Sequence, residues 1–274
     1  MGVRLSALVC VQNQDARLAE CLRGLSFCDE IVVIADRCTD RSTEIARRAG
    51  AQIITGIFPL ESQRRAAGLA ACSGDWILEI EADERVDSAL AWEIRATLKL
   101  GAQGDYFQVP VHNYVGDDAV RHGWVGGLGE MGAVRLYRPG VKQWQSRRRD
   151  GGQVVAGRAA GALKGAIRRA AGRDVSDLVE SFNRLTALRA EDLADGHDAG
   201  ALAPAVAAGL GSFCRSYLLR AGWREGGVGL CLALLCGLYP VVSHLKAKEA
   251  LSARGRAVAV HPRPAYREAV GLGA

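Results

Sequence analysis

Apolar residues first gather at Leu5 to Val11, a short run with a β-branched bias, and then recur at Leu18, Cys21, Leu22 and Leu25. The first pattern predicts a strand, and the i, i+3, i+4, i+7 spacing predicts a helix from Asp15 to Leu25. The alternation continues. Ile31 to Ile34 is a continuous apolar run followed by the polar loop Asp36-Arg37-Cys38-Thr39-Asp40, and a helix from about Ser42 to Ala49 closes on Gly50 as a C′ residue. Gln52 to Thr55 reads as a third strand, Glu61 to Ala71 as a helix and Trp76 to Ile80 as a fourth strand, with Ser88 placed to cap a helix up to about Leu100.

Four short apolar strands alternating with helices predict an α/β chain with a parallel sheet covered on both faces. Ligands gather at the carboxyl ends of such strands, and two polar clusters fall there: Asp36 to Asp40 after the second strand and Glu81 to Glu84 after the fourth. Tyr106 to Val111 and Ala133 to Tyr137 are further strand-like runs, separated by a Gly-rich loop with Arg121-His122-Gly123-Trp124. After about Asp150 the pattern becomes helical, at Asp174 to Asp195, Leu210 to Ala221 and Val228 to Lys248, the last interrupted at Pro240. The expected organisation is a catalytic or binding domain over 1–150, a helical extension over 151–253 and a mobile tail over 254–274.

Charge sharpens this picture. The chain of 274 residues carries 35 Lys+Arg and 30 Asp+Glu, a net +5, but the charges are segregated. Asp75 to Asp87 holds six acids against one base, Arg85, whereas Arg135 to Arg173 holds eleven bases against one acid, Asp150. An acidic knot followed by a basic stretch is compatible with a metal site beside a surface for an anionic partner. Nucleic acid is disfavoured, because the bases are not interleaved with aromatics and aromatics make up only 6% of the chain. The eight Cys are scattered singly and read as reduced thiols of a cytosolic protein, and the first residues lack the h-region and cleavage site of a signal peptide.

Glu81-Ala82-Asp83-Glu84 ends an apolar strand, and acid-x-acid at a strand end could hold a divalent cation against a diphosphate; the alternative is a solvated acidic turn. Asp36 could accept hydrogen bonds from a nucleobase or ribose, while Thr39 and Asp40 are placed to satisfy the first-turn amides of the next helix.

Ser6 to Gln14, Asp29 to Asp40 and Gly74 to Val86 together resemble family 2 glycosyltransferases of the GT-A fold, within the subgroup of lipopolysaccharide-core and related bacterial envelope enzymes. The resemblance implies a Rossmann-like, mostly parallel sheet with a helical C-terminal extension. It implies a nucleotide-sugar donor, a divalent cation (Mg²⁺ or Mn²⁺) at Glu81 and Asp83, a saccharide or lipid-linked acceptor, and inversion at the anomeric carbon. Asn13, Asp36, Asp40, Arg64, Glu81 and Ala82 would then line the donor site. His122, Trp124 and Arg135 correspond to acceptor-side motifs, where an aromatic face could stack on a sugar; for His122 and Trp124 a packed loop corner is the competing reading.

Several positions depart from the family pattern. Glu81 replaces the usual Asp, Gln12-Asn13-Gln14 replaces a Lys-Asn-Glu type triplet, and Ala35 stands at a commonly acidic position. An acceptor-side His-Glu pair is absent, with Gly151 and Gly152 in its place, and Arg169 stands where a later His is expected. Glu130 and Asp150 are the remaining candidates for the proton-accepting carboxylate. The missing pair leaves a noncatalytic, glycosyltransferase-like binding or scaffold protein as the alternative; a nucleotidyltransferase ranks last because no Gly-rich, basic phosphate loop follows the first strand.

Val228 to Val242 is the most hydrophobic stretch, 15 residues long, whereas about twenty are needed to span a bilayer. Flanked by Trp223-Arg224 and by Lys246 and Lys248, it is expected either in the protein core or in the interface of the inner membrane, which would place a cytoplasmic protein peripherally on that membrane's cytoplasmic face.

Overall fold

The computed structural model describes residues 2–125, 132–144, 153–196 and 200–260. The first half alternates as expected: β1 (Leu5–Val11), α1 (Asp15–Arg23), β2 (Glu30–Asp36), α2 (Ser42–Arg48), β3 (Gln52–Gly56), α3 (Glu61–Ala71), β4 (Trp76–Glu81), a two-residue β5 (Glu84–Arg85) and α4 (Ser88–Leu100). Then come β6 (Tyr106–Val115), β7 (Asp118–Val120), β8 (Gly132–Tyr137), β9 (Lys142–Trp144), β10 (Gln153–Val155), β11 (Ala159–Ala162) and β12 (Ile167–Gly172). The chain continues as α5 (Val175–Asp195), α6 (Leu202–Cys214), a π turn over Arg215–Leu219, a 3₁₀ turn over Gly222–Glu225 and α7 (Gly226–Val260).

The main sheet has the order β3-β2-β1-β4-β8-β6-β12-β5. Its first four strands are parallel, and β8 runs antiparallel between β4 and β6. The sheet is therefore mixed and mostly parallel, as expected for an α/β chain.

β1 is buried on both faces, which is why it reads as an unbroken apolar run. Leu5, Ala7, Val9 and Val11 face a core shared with Leu18, Cys21 and Leu22 of α1 and Leu90, Ile94 and Leu98 of α4. Leu8 and Cys10 face the opposite core with Ile34 and Ile77, against which Leu69 of α3 packs. The approach of α3 depends on Gly68, since a Cβ there would lie 2.5 Å from Leu8 Cδ1.

Because β1 is followed spatially by β2 and β3 on one side and β4 on the other, the chain direction switches beside β1. The carboxyl ends of β1, β2 and β4 meet at this switch: Cys10 is level with Glu81 and Val11 with Ala35. Such a crevice is where open α/β sheets bind ligands.

Several expectations change. Asp87, not Ser88, caps α4, its carboxylate accepting from Leu90 N–H at 2.8 Å. Gly50, at φ +74°, does follow α2 as a C′ residue. Residues after 150 are not purely helical, since β11 pairs with β6, and β12 pairs with β6 and β5. These strands are rich in Ala, Gly and Arg, so no apolar alternation announces them.

The C-terminal helices are longer than their apolar patterns. α6 begins at Leu202, and α7 runs for 35 residues through Pro240 and past Ala253, about 52 Å at 1.5 Å per residue. A proline inside a helix costs about 3 kcal/mol; here α7 is supported by packing against both α5 and α6. α6 meets α7 closely, for a Cβ on Gly209 would lie 2.3 Å from the Gly237 carbonyl. Leu232, Leu235 and Cys236 of α7 join Leu178 of α5 around Trp124, docking the helices onto β6 and β7.

Leu202–Leu219 and Gly222–Arg254 are long and apolar enough, by length and composition, to cross a membrane, and only 11% and 39% of their most apolar windows is buried within the protein. Leu210, Leu218, Leu219, Trp223, Leu234 and Leu238 are correspondingly exposed.

Candidate functional site

At the ends of β1 and β2 the site is built by short polar side chains that satisfy backbone donors. Asn13, at φ +50°, accepts through its amide oxygen from Thr39 N–H at 2.8 Å and from Asp40 N–H at 3.4 Å. Asp40 accepts from Asp15 N–H at 2.9 Å and Ser42 N–H at 3.0 Å, holding the first residues of α1 and α2 with one carboxylate. The capping role expected for Asp40 is thus present, whereas Thr39 uses its own N–H to hold Asn13.

Asp36 is 2% exposed at the end of β2. It accepts from Phe58 N–H at 3.1 Å and from the Arg37 guanidinium at 3.0 and 2.9 Å. Burial pushes its carboxyl up, but these hydrogen bonds outweigh burial and hold it below the usual carboxylate range. Arg64 acts electrostatically on both Asp36 and Glu81, and its buried Nε has no hydrogen-bond partner among the described residues.

The acidic turn after β4 is threaded by arginines. Glu81 is held by Arg65, with Arg135 at 3.7 Å. Glu84, fully buried, accepts from Arg135 at 2.8 Å and from Glu81 N–H at 2.8 Å. Asp83 accepts from Arg169 Nε at 3.2 Å. The last pairing follows from strand register: β12 sets Arg169 opposite Glu84, and the Asp83 carbonyl accepts from Ala170 N–H at 2.9 Å. Beneath this turn Glu79 is surrounded by Arg65, Tyr137 and Lys142, the latter two at 2.8 Å.

The resemblance implied a divalent cation at Glu81 and Asp83, and the structure puts a guanidinium on each of those carboxylates. Among the described residues no group of three or more His, Cys, Asp or Glu is arranged to hold a metal ion. A donor set already neutralised in this way does not fit a divalent cation.

The sequence-derived residues therefore divide. Asn13, Asp36, Asp40, Arg64, Glu81 and Asp83 cluster at the strand ends, whereas Ala82 buries its methyl in the main core. Trp124 is only 1% exposed and donates its indole N–H to the Val120 carbonyl at 2.7 Å, so its face is closed to a sugar; the packed-corner reading holds. Arg135 is buried against Glu81 and Glu84 and belongs to the acidic turn rather than to an acceptor surface. His122 is tied to Glu225 of the 3₁₀ turn. Glu130, Asp150, Gly151, Gly152 and Arg147 to Arg149 lie outside the described residues. Sequence reasoning passed over Arg65, Glu79 and Lys142; the signal for them was a lone acid, Glu79, inside the apolar run Trp76 to Ile80.

Beside the acidic turn opens a cavity of about 760 Å³, lined by Asn13, Gln14, Arg17, Tyr114, Arg168 and Arg169 among others. Arg168 lies over the Tyr114 ring at 4.3 Å and has no carboxylate partner among the described residues.

No family model matches the chain. An uncharacterized glycosyltransferase of Rickettsia prowazekii is 29% identical over 92 residues, 33% of this chain and 32% of the relative. The lipopolysaccharide core biosynthesis glycosyltransferase LpsC of Rhizobium meliloti is 36% identical over 94 residues, 31% of this chain and 34% of the relative. The chain resembles glycosyltransferases. It spans about a third of the length of these curated relatives. Among solved structures, glucosyl-3-phosphoglycerate synthase from Mycobacterium tuberculosis overlays 41% of this glycosyltransferase-like chain and 45% of its own, at 20% identity and TM-score 0.35. Mannosyl-3-phosphoglycerate synthase from Rubrobacter xylanophilus covers 41% of each chain at 18% identity and TM-score 0.34, and both likenesses are too slight to place a ligand.

Proposed function

We propose that this protein is a glycosyltransferase that takes a nucleotide-sugar donor at the carboxyl ends of β1, β2 and β4. The observation that carries the reading is the meeting of Asp36 with the Glu81 to Asp83 turn at the switch beside β1, with Arg64 acting on both. Asp36 is held ionised by Phe58 N–H and Arg37, and the half-exposed Arg37 side chain is the partner that would yield to hydrogen-bond donors of a base or ribose. Asn13 and Asp40 fix the loop that presents it.

In the transfer, the acceptor hydroxyl oxygen forms a bond to the anomeric carbon while the bond from that carbon to the diphosphate oxygen breaks. The electron pair leaves on the nucleoside diphosphate, the acceptor proton passes to a carboxylate, and attack from the opposite face inverts the centre. Arg64 and the arginines around the acidic turn supply positive charge where the leaving group develops negative charge. Glu130 and Asp150 are the proposed proton acceptors from sequence.

The name of LpsC, a lipopolysaccharide core biosynthesis glycosyltransferase, and the exposed apolar residues of the C-terminal helices support a reading of the acceptor class. Leu210, Leu218, Leu219, Trp223 and Leu234 are exposed along the C-terminal helices with Arg215 and Arg224 exposed among them, a composition that suits the interface of an anionic membrane. We therefore place the protein on the cytoplasmic face of the inner membrane, acting on a saccharide or lipid-linked envelope acceptor. The donor reading is tested by calorimetric titration of the full chain with uridine and guanosine diphosphates. Binding that Asp36→Ala weakens by about tenfold or more is expected; no binding of either nucleotide would remove the reading.

A further inference from the structure

Resting on that donor reading, we infer that Arg169 is the resident cation for the donor diphosphate, and that this protein binds the diphosphate without a divalent metal ion. Arg65 and Arg135 both meet Glu81 Oε1, and Arg169 donates from Nε to Asp83 Oδ2 at 3.2 Å, so the charge of each carboxylate is already matched although Glu81 Oε2 and Asp83 Oδ1 have no partner among the described residues. A divalent cation entering there would bind carboxylates that guanidinium groups have neutralised and would sit beside those positive charges.

Arg169 is no incidental surface residue. Two backbone relationships fix it: β12 runs beside β6 in parallel and beside β5 in antiparallel register, with Arg169 opposite Glu84. Burial would lower its pKa, but Asp83 and Glu84 outweigh burial and keep the guanidinium charged. Only Nε is used on Asp83, and the two terminal nitrogens have no partner among the described residues while the side chain lines the cavity beside the turn.

Guanidinium groups outnumber carboxylates in the cavity lining. Arg168 follows Arg169 along its wall without a carboxylate partner among the described residues, and Arg184 on α5 is likewise unpaired among them. Four carboxylates also line the cavity: Asp177 is taken up by Arg173 at 2.9 Å and Arg17 at 3.5 Å and Asp15 by Arg41 at 3.4 Å, while Asp117 and Glu180 remain beside the arginines of the wall. Asn13 and Gln14 also line the cavity, and Asn13 connects it to the loop after Asp36 by accepting from Thr39 N–H. A planar guanidinium fork matches paired phosphate oxygens and keeps its charge at every working pH. Asp83 is, on this account, the positioning residue that holds Arg169 toward the cavity.

The test uses the full chain, stripped of metal by EDTA and titrated with uridine diphosphate, guanosine diphosphate and inorganic pyrophosphate, then repeated with excess Mn²⁺. Affinities that agree within about threefold between the two conditions are expected. Arg169→Ala should weaken binding by about tenfold or more in EDTA, with Arg169→Lys intermediate, while the affinity for the bare nucleoside stays unchanged. Should Arg169→Ala fail to fold, Arg168→Ala, which breaks no ion pair, is expected to weaken pyrophosphate binding by about fivefold or more. Titration of Mn²⁺ alone, followed by electron paramagnetic resonance, should leave the free-ion signal undiminished. Nucleotide binding that appears only with Mn²⁺ and is lost in Asp83→Asn would overturn this inference and leave the donor reading standing. Absence of nucleotide binding in both conditions would overturn the donor reading and this inference with it.

Discussion

The Tyr137 hydroxyl donates to the Glu79 carboxylate across 2.8 Å in the interior of the sheet, beside Lys142 Nζ at the same distance and the Arg65 guanidinium. Burial pushes the Lys142 ammonium down and Glu79 pushes it up, leaving it below its usual range. This network is the floor of the acidic turn, since Arg65 also holds Glu81. Replacing Glu79 by Leu strands the buried Lys142 ammonium without a carboxylate and takes from Arg65 one of its three, so a loss of about 3–5 kcal/mol in urea unfolding is expected. A loss under about 1 kcal/mol would mean that the network is not a structural foundation.

The acidic turn gives stability a definite pH signature. Burial is the largest influence on Glu84; Arg135 opposes it, Glu81 and Asp83 add to it, and the carboxyl is pushed up to about 7. Between its ordinary 4.5 and about 7 the folded protein holds a proton that the unfolded chain has released, so this group makes stability fall as pH rises through that window. Glu81 behaves oppositely. Burial raises it, but Arg65 and Arg135 outweigh burial and bring it to about 2, so its contribution is present above 4.5 and lost as pH falls toward 2. Urea unfolding of Glu84→Gln at successive pH values should show a smaller decline than the unsubstituted protein between the two Glu84 values. Parallel profiles would contradict the assignment.

Asn13 joins the β1 loop to the β2 loop through one amide oxygen. Asn13→Ala should cost about 1–2 kcal/mol of stability and weaken nucleotide binding more than stability alone accounts for, because Asp36 is presented by the released loop. Thermal unfolding and calorimetric titration on the same preparation separate the two effects; unchanged nucleotide affinity would place Asn13 outside the donor site.

The exposed apolar residues of the C-terminal helices call for a membrane test. Leu219 is 81% exposed and Leu234 50%, so neither contributes a full core contact. Flotation with vesicles containing anionic lipid is expected, weakening with salt, and the double substitution Leu219→Glu with Leu234→Glu should reduce bound protein by about tenfold or more. Equal recovery with and without vesicles would leave these residues without a lipid role.

Much of the first hundred residues was legible because parallel strands buried on both faces are built mostly of apolar residues, and β1, β2 and β4 read accordingly, with Ser6 and Glu79 as paired exceptions. Asp36 and Glu81 stood out as acids where such runs stop. Their neighbours were not legible. Arg169 meets Asp83 across 86 residues of sequence, through a strand whose Arg, Ala and Gly residues pair by backbone alone. Trp124 resembled a sugar platform in its loop motif, and only the distant α7 closes over it. Arg65 sits on α3, whose i,i+4 spacing announces Glu61 but says nothing of Glu79 and Glu81 on β4.

The central claim is donor turnover at the strand-end site. Its most direct measurement is release of nucleoside diphosphate from a panel of uridine and guanosine diphospho-sugars, with membrane-derived saccharide lipids as acceptors. The account expects release from at least one donor, stimulated by acceptor, and a fall of about a hundredfold or more in Asp36→Ala with the fold intact. Full release by Asp36→Ala, or no release from any donor that the protein binds, would contradict it.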